Sequence, residues 1–250
     1  MRNPVMKSDL ERDLEILLAI VPTAPREKWV KDHILEIVDE EDFNPDGIEV
    51  LTKNGFYGNV KEIFESDELQ DIKKRISSRE DHHIECKETF HFDVKENKKN
   101  KERNLDVVKA IASFLNSDGG YVYIGVKDNG PPIGLERDYS VMGNEGDNDG
   151  LERQIRDSLE TNLTNYSTVI ECTKKITFPK IDGIEICQIK VEPSPIPIFF
   201  KAENVTIESK GKRIQRKIDW FYIRKGNSKH LVETMSSFNE YIQTQFPKKS

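Results

Sequence analysis

Hydrophobic residues in the first part of the chain recur at the spacing of a helix. Between residues 8 and 21, leucines return every three or four positions with acidic residues between them, which is how one apolar face of a helix is spaced. Pro22 and Pro25 separate this segment from a second one of similar pattern. The pattern predicts a small, mostly helical N-terminal module, with helical segments at 8–21, 26–38, 48–52, 60–66 and 68–76.

The pattern changes after residue 76. Residues 105–115 have the period of an amphipathic helix, and residues 121–126 (YVYIGV) are β-branched and aromatic, as in a buried central strand. Gly119 and Gly120 lie between them and suit the end of a helix and a tight turn. Strands and helices that do not alternate strictly predict an α+β fold, a mixed β-sheet with flanking helices. Further helices are predicted at about 150–162 and 231–246, and strands at 82–87, 167–178, 184–192 and 220–224.

Charge divides the chain at the same place. The 250 residues carry a formal charge of −7, and residues 1–75, with 11 basic and 18 acidic residues, account for all of it. Residues 76–250 are neutral overall but contain two basic clusters, 95–103 (KENKKNKER) and 210–217 (KGKRIQRK). Such clusters can form a phosphate-binding face, and they can equally be solvated loops. We therefore predict two domains, 1–75 and 76–250.

Composition and the chain start indicate a cytoplasmic protein. The longest apolar run has six residues, 16–21, far short of the roughly 20 needed to span a membrane, and no secretory signal is visible. The three cysteines show no CxxC spacing, which predicts reduced thiols and no zinc site.

Four side chains near predicted strand ends are candidates for chemistry. Glu85 and Lys87 alternate onto one face of a strand, and Asp128 follows the buried strand 121–126. Glu80 shares that face only if a turn or bulge intervenes. Carboxylates that converge repel one another unless a cation lies between them, and Mg²⁺ or Mn²⁺ suits such oxygen ligands. In a chain with 45 acidic residues, a pair of glutamates is more often solvated surface.

Four ordered motifs resemble the Schlafen AlbA-type domain. Residues 80–87 are similar to its E-x4-E-F-K motif, and residues 112–128 to A-F-x-N-x-x-G-G-x-x-x-I-G-V-x-D. Residues 191–197 and 220–228 are similar to V-x-x-S-x-x-P and F-Y-x-R-x-G-N-S. The resemblance covers about residues 78–245. This chain departs from it at Cys86, where Phe is usual, at Leu115, where a small residue is usual, and at Lys127, where an acid is common.

The resemblance implies a nuclease. In animal Schlafens, similar domains form a metal-dependent endoribonuclease that cuts tRNA and rRNA with three carboxylates, matched here by Glu80, Glu85 and Asp128. These would hold Mg²⁺ or Mn²⁺, and Lys87 would assist. The Schlafen core pairs two such lobes in one chain, so a homodimer is expected here. The phosphates of a tRNA-like substrate would be held by Lys95, Lys98, Lys99, Lys101, Arg103, Lys210, Lys212, Arg213, Arg216, Lys217 and Arg224. Arg224 could instead simply pair with an acidic residue.

Two other functions remain open. Many bacterial members of the family are described as DNA-binding or ATP-binding regulatory modules, which makes a non-catalytic nucleic-acid-binding module the alternative. A third possibility is an adaptor in a host-defence or toxin-like assembly, with residues 1–75 recruiting a protein partner. Tyr121 and Tyr123 share a strand face, where they either stack on bases or pack in the core. Asp118 and Asp138 are expected in turns or at the surface.

Overall fold

The computed structural model describes residues 7, 10, 15–20, 24–63, 67–77, 82–127, 130–209 and 212–246. The chain forms two compact units, residues 1–74 and 75–250. Helices and strands are mixed throughout, and the α+β class predicted from the sequence is confirmed. Within the described ranges, no helix combines the length and hydropathy that crossing a bilayer requires.

The first unit contains a closed, antiparallel β-barrel of four strands. The first strand pairs with both the second and the fourth, which closes the barrel. Ile16, Leu18, Ile34, Val50 and Val60 fill its interior. The strands are β1 (Glu15–Ala19), β2 (Val30–Ile37), β3 (Glu49–Thr52) and β4 (Tyr57–Ile63), and helix α1 (Asp67–Ser77) follows them.

The prediction of a mostly helical N-terminal module is wrong. Among the described residues, the predicted helices 26–38, 48–52 and 60–66 lie mainly in β2, β3 and β4, whereas 68–76 does form an α-helix. In β1, Ile16 and Leu18 are buried on either side of a partly exposed Leu17, the alternation of a strand. The same period places Asp32 and Ile34 inside the barrel. Asp32 is tolerated there because its carboxylate accepts hydrogen bonds from the backbone N–H of Asn54 (3.1 Å) and from its side-chain amide (2.9 Å).

The second unit begins at Arg75, in the last turn of α1. Its elements in chain order are β5 (Ile84–Lys87), β6 (Phe92–Asp93), β7 (Lys98–Lys99), α2 (Lys101–Leu115), β8 (Gly120–Ile124), α3 (Glu136–Ser140), α4 (Asn148–Asn162), α5 (Tyr166–Cys172), β9 (Ile176–Thr177), β10 (Lys180–Ile181), β11 (Ile184–Glu185), β12 (Cys187–Val191), β13 (Phe200–Ser209), β14 (Lys212–Trp220), β15 (Tyr222–Lys225), β16 (Ser228–Leu231) and α6 (Met235–Gln245).

A four-stranded mixed sheet, in the order β5-β8-β12-β9, is the centre of this unit. β5 and β8 are parallel, and the crossover between them contains α2, as a parallel connection requires. The apolar stripe of α2, including Ile111 and Phe114, packs on Val122 and Ile124 of β8. Leu151 and Ile155 of α4 belong to the same core. The predicted helix 105–115 and the predicted central strand are both present.

Two segments differ from their predicted form. Residues 166–172 are helix α5 instead of strand, because Asn165 adopts a left-handed φ of 52° that turns the chain, and Val169 then packs into the core. The β-branched residues 168–170 favoured a strand in the sequence. The lysine-rich segment 95–103, for which the sequence also allowed a solvated loop, forms the β6–β7 turn, β7 and the first turn of α2. Asn100 caps this helix by accepting from the N–H of Glu102.

Candidate functional site

The turn after α2 is held by a buried asparagine. The side-chain amide of Asn116 donates to the carbonyl oxygens of Ile198 (2.7 Å) and Tyr222 (2.9 Å) and accepts from the N–H of Ile198 (2.8 Å). Asn116 therefore ties α2 to the segment before β13 and to β15. All its polar atoms find partners, so it stabilises the fold at this point.

The two glycines of this turn are required by close packing. Gly119 has a φ of +75°. A Cβ there would lie 2.6 Å from the carbonyl oxygen of Val191, and at Gly120 it would lie 2.4 Å from that of His83. The chain runs from helix to strand here, opposite to a phosphate-binding loop. The Gly-Gly pair is structural, as the sequence predicts.

Glu85 is held between two cations. Its Oε1 lies 2.7 Å from Nζ of Lys87, and its Oε2 lies 2.7 Å from Nη1 of Arg224. Glu85 and Lys87 thus lie on one strand face, as their spacing predicts. Burial raises the pKa of Glu85, but Lys87 and Arg224 outweigh it and hold the pKa below its ordinary value. The carboxylate is therefore charged and fully paired.

Arg224 lies in the interior of the second unit. Its side chain is 4% exposed, and besides Glu85 it donates to the carbonyl oxygens of His82 (3.2 Å) and Ile84 (3.3 Å). Its guanidinium also lies 4.5 Å from the ring centre of Phe114. The sequence allowed two roles for Arg224, contact with phosphates or pairing with an acidic residue. The structure gives its guanidinium an acidic partner, Glu85, and little access to solvent.

The described residues do not form a metal site. Glu80 and Asp128 lie outside them, which leaves Glu85 as the one described member of the predicted carboxylate set. Elsewhere in the described ranges, no group of three or more His, Cys, Asp and Glu side chains could hold a metal ion. Both oxygens of Glu85 already contact cations, so a metal ion at this carboxylate would share these oxygens with Lys87 and Arg224.

Asp138, which the sequence placed in a turn or at the surface, is buried and fixes the loop after β5. Its carboxylate accepts hydrogen bonds from the backbone N–H groups of Phe90 (2.8 Å), His91 (2.6 Å) and Phe92 (3.0 Å). Burial raises the pKa of Asp138 although these three donors oppose it. No sequence signal distinguishes this aspartate from its exposed neighbours in α3, because its partners are backbone groups 46 to 48 positions away.

The two tyrosines of β8 differ in burial, and Tyr121 is half-buried. Tyr123 is fully buried, and burial raises its pKa to about 12. Arg75 covers this strand face: its guanidinium lies 4.2 Å from the ring centre of Tyr121, and its Nη1 lies 3.3 Å from the hydroxyl of Tyr123. This arrangement agrees with core packing and leaves Tyr123 inaccessible to a base.

The basic residues predicted to contact phosphates lie mainly on two hairpins. Lys95, Lys98 and Lys99 are exposed on the β6–β7 hairpin, and Arg213 and Lys217 are exposed on β14. Lys98 pairs with Glu96 and Arg103 with Asp93. Lys101, Lys212 and Arg216 are described by their backbone positions alone, and Lys210 lies outside the described residues.

Asp93 shapes the first of these hairpins. Its carboxylate accepts from the side-chain amide of Asn100 and from the N–H groups of Lys95 and Glu96. These hydrogen bonds, with the charge of Arg103, lower the pKa of Asp93 to about 2. The lysines of this turn are therefore presented by an ordered backbone.

Comparison with known proteins gives the class of this chain. A model of the Schlafen, AlbA_2 family matches residues 80–233. The match covers more than half of the 250 residues, and the chain belongs to this family. The resemblance drawn from the four motifs is confirmed.

More specific similarity is absent or remote. No curated protein matches the chain. Among solved structures, the DIP2311 protein from Corynebacterium diphtheriae is similar over 71% of this chain and 32% of that one, with 16% identity and a TM-score of 0.42. The chain thus spans about one third of that structure, and the likeness is too remote to carry an argument.

Proposed function

We propose that the second unit binds structured, tRNA-like RNA through the β6–β7 and β13–β14 hairpins. The observation that carries this proposal is the β13–β14 hairpin, whose strands of ten and nine residues present exposed Arg213 and Lys217. These two side chains lie on one face of β14, since they are four residues apart. A strand of this length reaches about 30 Å, enough to follow several phosphates.

RNA, and not DNA, is the expected ligand because of the family resemblance. The neutral net charge of residues 76–250 does not oppose this proposal, since phosphates respond to local clusters of lysine and arginine. Exposed Lys95, Lys98 and Lys99 add a second cluster on an ordered turn.

Fluorescence anisotropy with labelled tRNA at several salt concentrations tests this proposal. We expect Lys98→Gln/Lys99→Gln and Arg213→Gln/Lys217→Gln to weaken binding and to lower the salt slope by about 0.7–0.9 for each lost phosphate contact. Lys174→Gln/Lys175→Gln, on exposed positions outside both hairpins, is the matched control. Equal effects of all three double variants would contradict the proposal.

A second candidate is a metal-dependent endoribonuclease that uses Glu80, Glu85 and Asp128 to bind Mg²⁺ or Mn²⁺, with Lys87 assisting. The arrangement at the end of β5 favours it. Glu85 and Lys87 are paired there, and the carbonyl oxygen of Lys87 accepts hydrogen bonds from the N–H groups of Gly125 (2.9 Å) and Val126 (3.1 Å). The occupied oxygens of Glu85 count against it.

Incubation with tRNA, single-stranded RNA and DNA separates the two candidates. Discrete fragments that require Mn²⁺ or Mg²⁺, vanish with EDTA and are lost in Asp128→Asn would support the nuclease, with Asp157→Asn as the charge-matched control. RNA that is bound but intact would leave the binding function alone. RNA that is neither bound nor cut would exclude both.

We also propose that the chain forms a homodimer and binds a protein partner. A homodimer would rebuild the groove of the two-lobed Schlafen core, and the acidic residues 1–75 would recruit a partner in a cytoplasmic host-defence or toxin-like assembly. Sedimentation of the full chain over a range of concentrations tests the dimer. Affinity of the full chain for a basic partner, lost at high salt, would support the second role.

A further inference from the structure

A cleft of about 590 Å³ opens in the second unit, apart from the two basic hairpins. It lies between residues 82–83, the turn after α2, the β15–β16 turn and the end of α6. Its size falls within the range of small-molecule sites. Its lining includes His82, His83, Asp118, Arg224, Asn227 and Gln245.

The walls of the cleft are fixed by hydrogen bonds. The hydroxyl of Ser117 accepts from the backbone N–H of Arg224 (2.9 Å) and lies 3.0 Å from that of Tyr241, which donates to the carbonyl oxygen of Asn116 (2.7 Å). Nδ1 of His83 lies 3.1 Å from the carbonyl oxygen of Gly119. A ligand would therefore bind a preformed site, and ordering the site would cost little free energy.

Three polar side chains of the lining keep their hydrogen-bonding capacity. Among the described residues, neither the carboxylate of Asp118 nor the amides of Asn227 and Gln245 have a hydrogen-bond or ion-pair partner. The charge of Arg224 is directed at Glu85. Asp118 is therefore a carboxylate of the lining that has no ion-pair partner among the described residues, and it favours a ligand that donates hydrogen bonds.

Aromatic surface is available in the same cleft. The rings of His82 and His83 lie with their centres 3.9 Å apart, at 42° to each other. Unpaired bases of RNA are recognised by such a combination, a side chain that stacks on the base and polar groups that bind its Watson–Crick edge.

We propose that this cleft binds an unpaired guanine base. Guanine presents its ring N1–H and its exocyclic amino group side by side, and two parallel donors match the two oxygens of Asp118. Its O6 and N7 atoms are acceptors, which match the amide donors of Asn227 and Gln245. This inference rests on the proposed RNA-binding function and names the feature of the RNA that the protein would select.

Calorimetric titration with guanosine, inosine, adenosine and inorganic phosphate tests the proposal. We expect guanosine to bind at least about tenfold more tightly than inosine, which lacks the exocyclic amino group, since a lost charge-assisted hydrogen bond costs on this order. Asp118→Asn should remove that difference, and Asn227→Ala should weaken guanosine binding. Asp157→Asn, an exposed carboxylate on α4, should leave both unchanged.

Three results would overturn the proposal: no saturable binding of guanosine, equal affinity for guanosine and inosine, or inorganic phosphate competing with guanosine. Asp118 is exposed, so Asp118→Asn is expected to fold, and its melting temperature verifies this. Asn227→Ala provides an independent variant.

A hairpin RNA with one guanine in its loop, compared with the same RNA carrying inosine, separates this inference from the proposed function. Binding that depends on Lys98, Lys99, Arg213 and Lys217 but ignores the loop base would refute the guanine site and leave RNA binding intact. Binding of guanosine without any binding of RNA would refute the RNA-binding function and leave the guanine site standing.

Discussion

The carboxylate of Glu85 and the guanidinium of Arg224 lie 2.7 Å apart although the two residues are 139 positions apart in the sequence. The contact joins β5, the first strand of the mixed sheet, to β15 in the C-terminal hairpin. Both side chains are largely buried, at 14% and 4% exposure. The pair therefore links the first strand of the mixed sheet to the C-terminal hairpin and stabilises the second unit.

Removing either partner of this pair should destabilise the second unit. We expect Arg224→Gln to lower its free energy of unfolding by about 3 kcal/mol, because the buried carboxylate of Glu85 loses one of its two cations and keeps only Lys87. The double variant Glu85→Gln/Arg224→Gln should lose less than the sum of the single variants. Urea unfolding measures all three.

An exposed ion pair provides the control for that experiment. Arg153 and Glu145 lie 3.0 Å apart with both side chains more than half exposed, and Arg153→Gln should cost less than about 1 kcal/mol. Additive effects of Glu85→Gln and Arg224→Gln would show that the two groups do not interact energetically in solution.

A buried histidine should make stability depend on pH. His91 is 5% exposed, and burial together with the charge of Lys99 lowers its pKa to about 4. Between its ordinary value of 6.5 and this value, the unfolded chain binds a proton that the folded chain does not, so stability falls as pH falls through this window. Melting temperatures at pH 7 and pH 5 measure the loss.

The variant His91→Asn should flatten this pH dependence, because it removes the titrating group. His230→Asn, at an exposed position of β16, should leave it as in the wild type. A wild-type melting temperature that is the same at pH 7 and pH 5 would show that His91 does not control acid stability.

The position of Asn116 makes its amide sensitive to a single-atom change. In Asn116→Asp, a carboxylate oxygen replaces the nitrogen that donates to the carbonyl oxygens of Ile198 and Tyr222. Buried oxygens without a proton between them repel one another, and we expect a loss of at least about 3 kcal/mol or no folded protein. Asn162→Asp, where the amide makes one bond to the carbonyl of Ser158, should cost about 1 kcal/mol. Equal losses would contradict the role of Asn116.

The sequence pattern predicts an element of this protein well when the contacts that fix the element join residues close together in the chain. Helix α2 was predictable because Ile111 and Phe114 recur at helical spacing, and the turn after it because Gly119 and Gly120 punctuate the chain. Strand β1 was not predictable, since Ile16 and Leu18 lie in a short apolar run that fits a helix or a strand equally. Burial of these side chains inside a barrel decides in favour of the strand.

The candidate site was predictable in part for the same reason. The shared face of Glu85 and Lys87 follows from strand alternation. The pairing of Glu85 with Arg224, and of Asp138 with the backbone of residues 90–92, depends on contacts between distant segments. No spacing rule contains such contacts, which is why the sequence left two roles open for Arg224 and placed Asp138 in a turn or at the surface.

Close packing at Gly119 leads to a last prediction. Gly119→Ala should destabilise the second unit by clearly more than Gly183→Ala. Both glycines have a positive φ, +75° and +80°, but an added Cβ at Gly119 would lie 2.6 Å from the carbonyl oxygen of Val191, whereas none of the surrounding heavy atoms lies within 4 Å of one at Gly183. Gly183→Ala should therefore lower the free energy of unfolding only through its strained backbone conformation, by about 1 kcal/mol. Gly119→Ala must also displace β12 from its register with β8. Urea unfolding of the two variants measures the difference, and equal losses would show that the turn relaxes without moving the sheet.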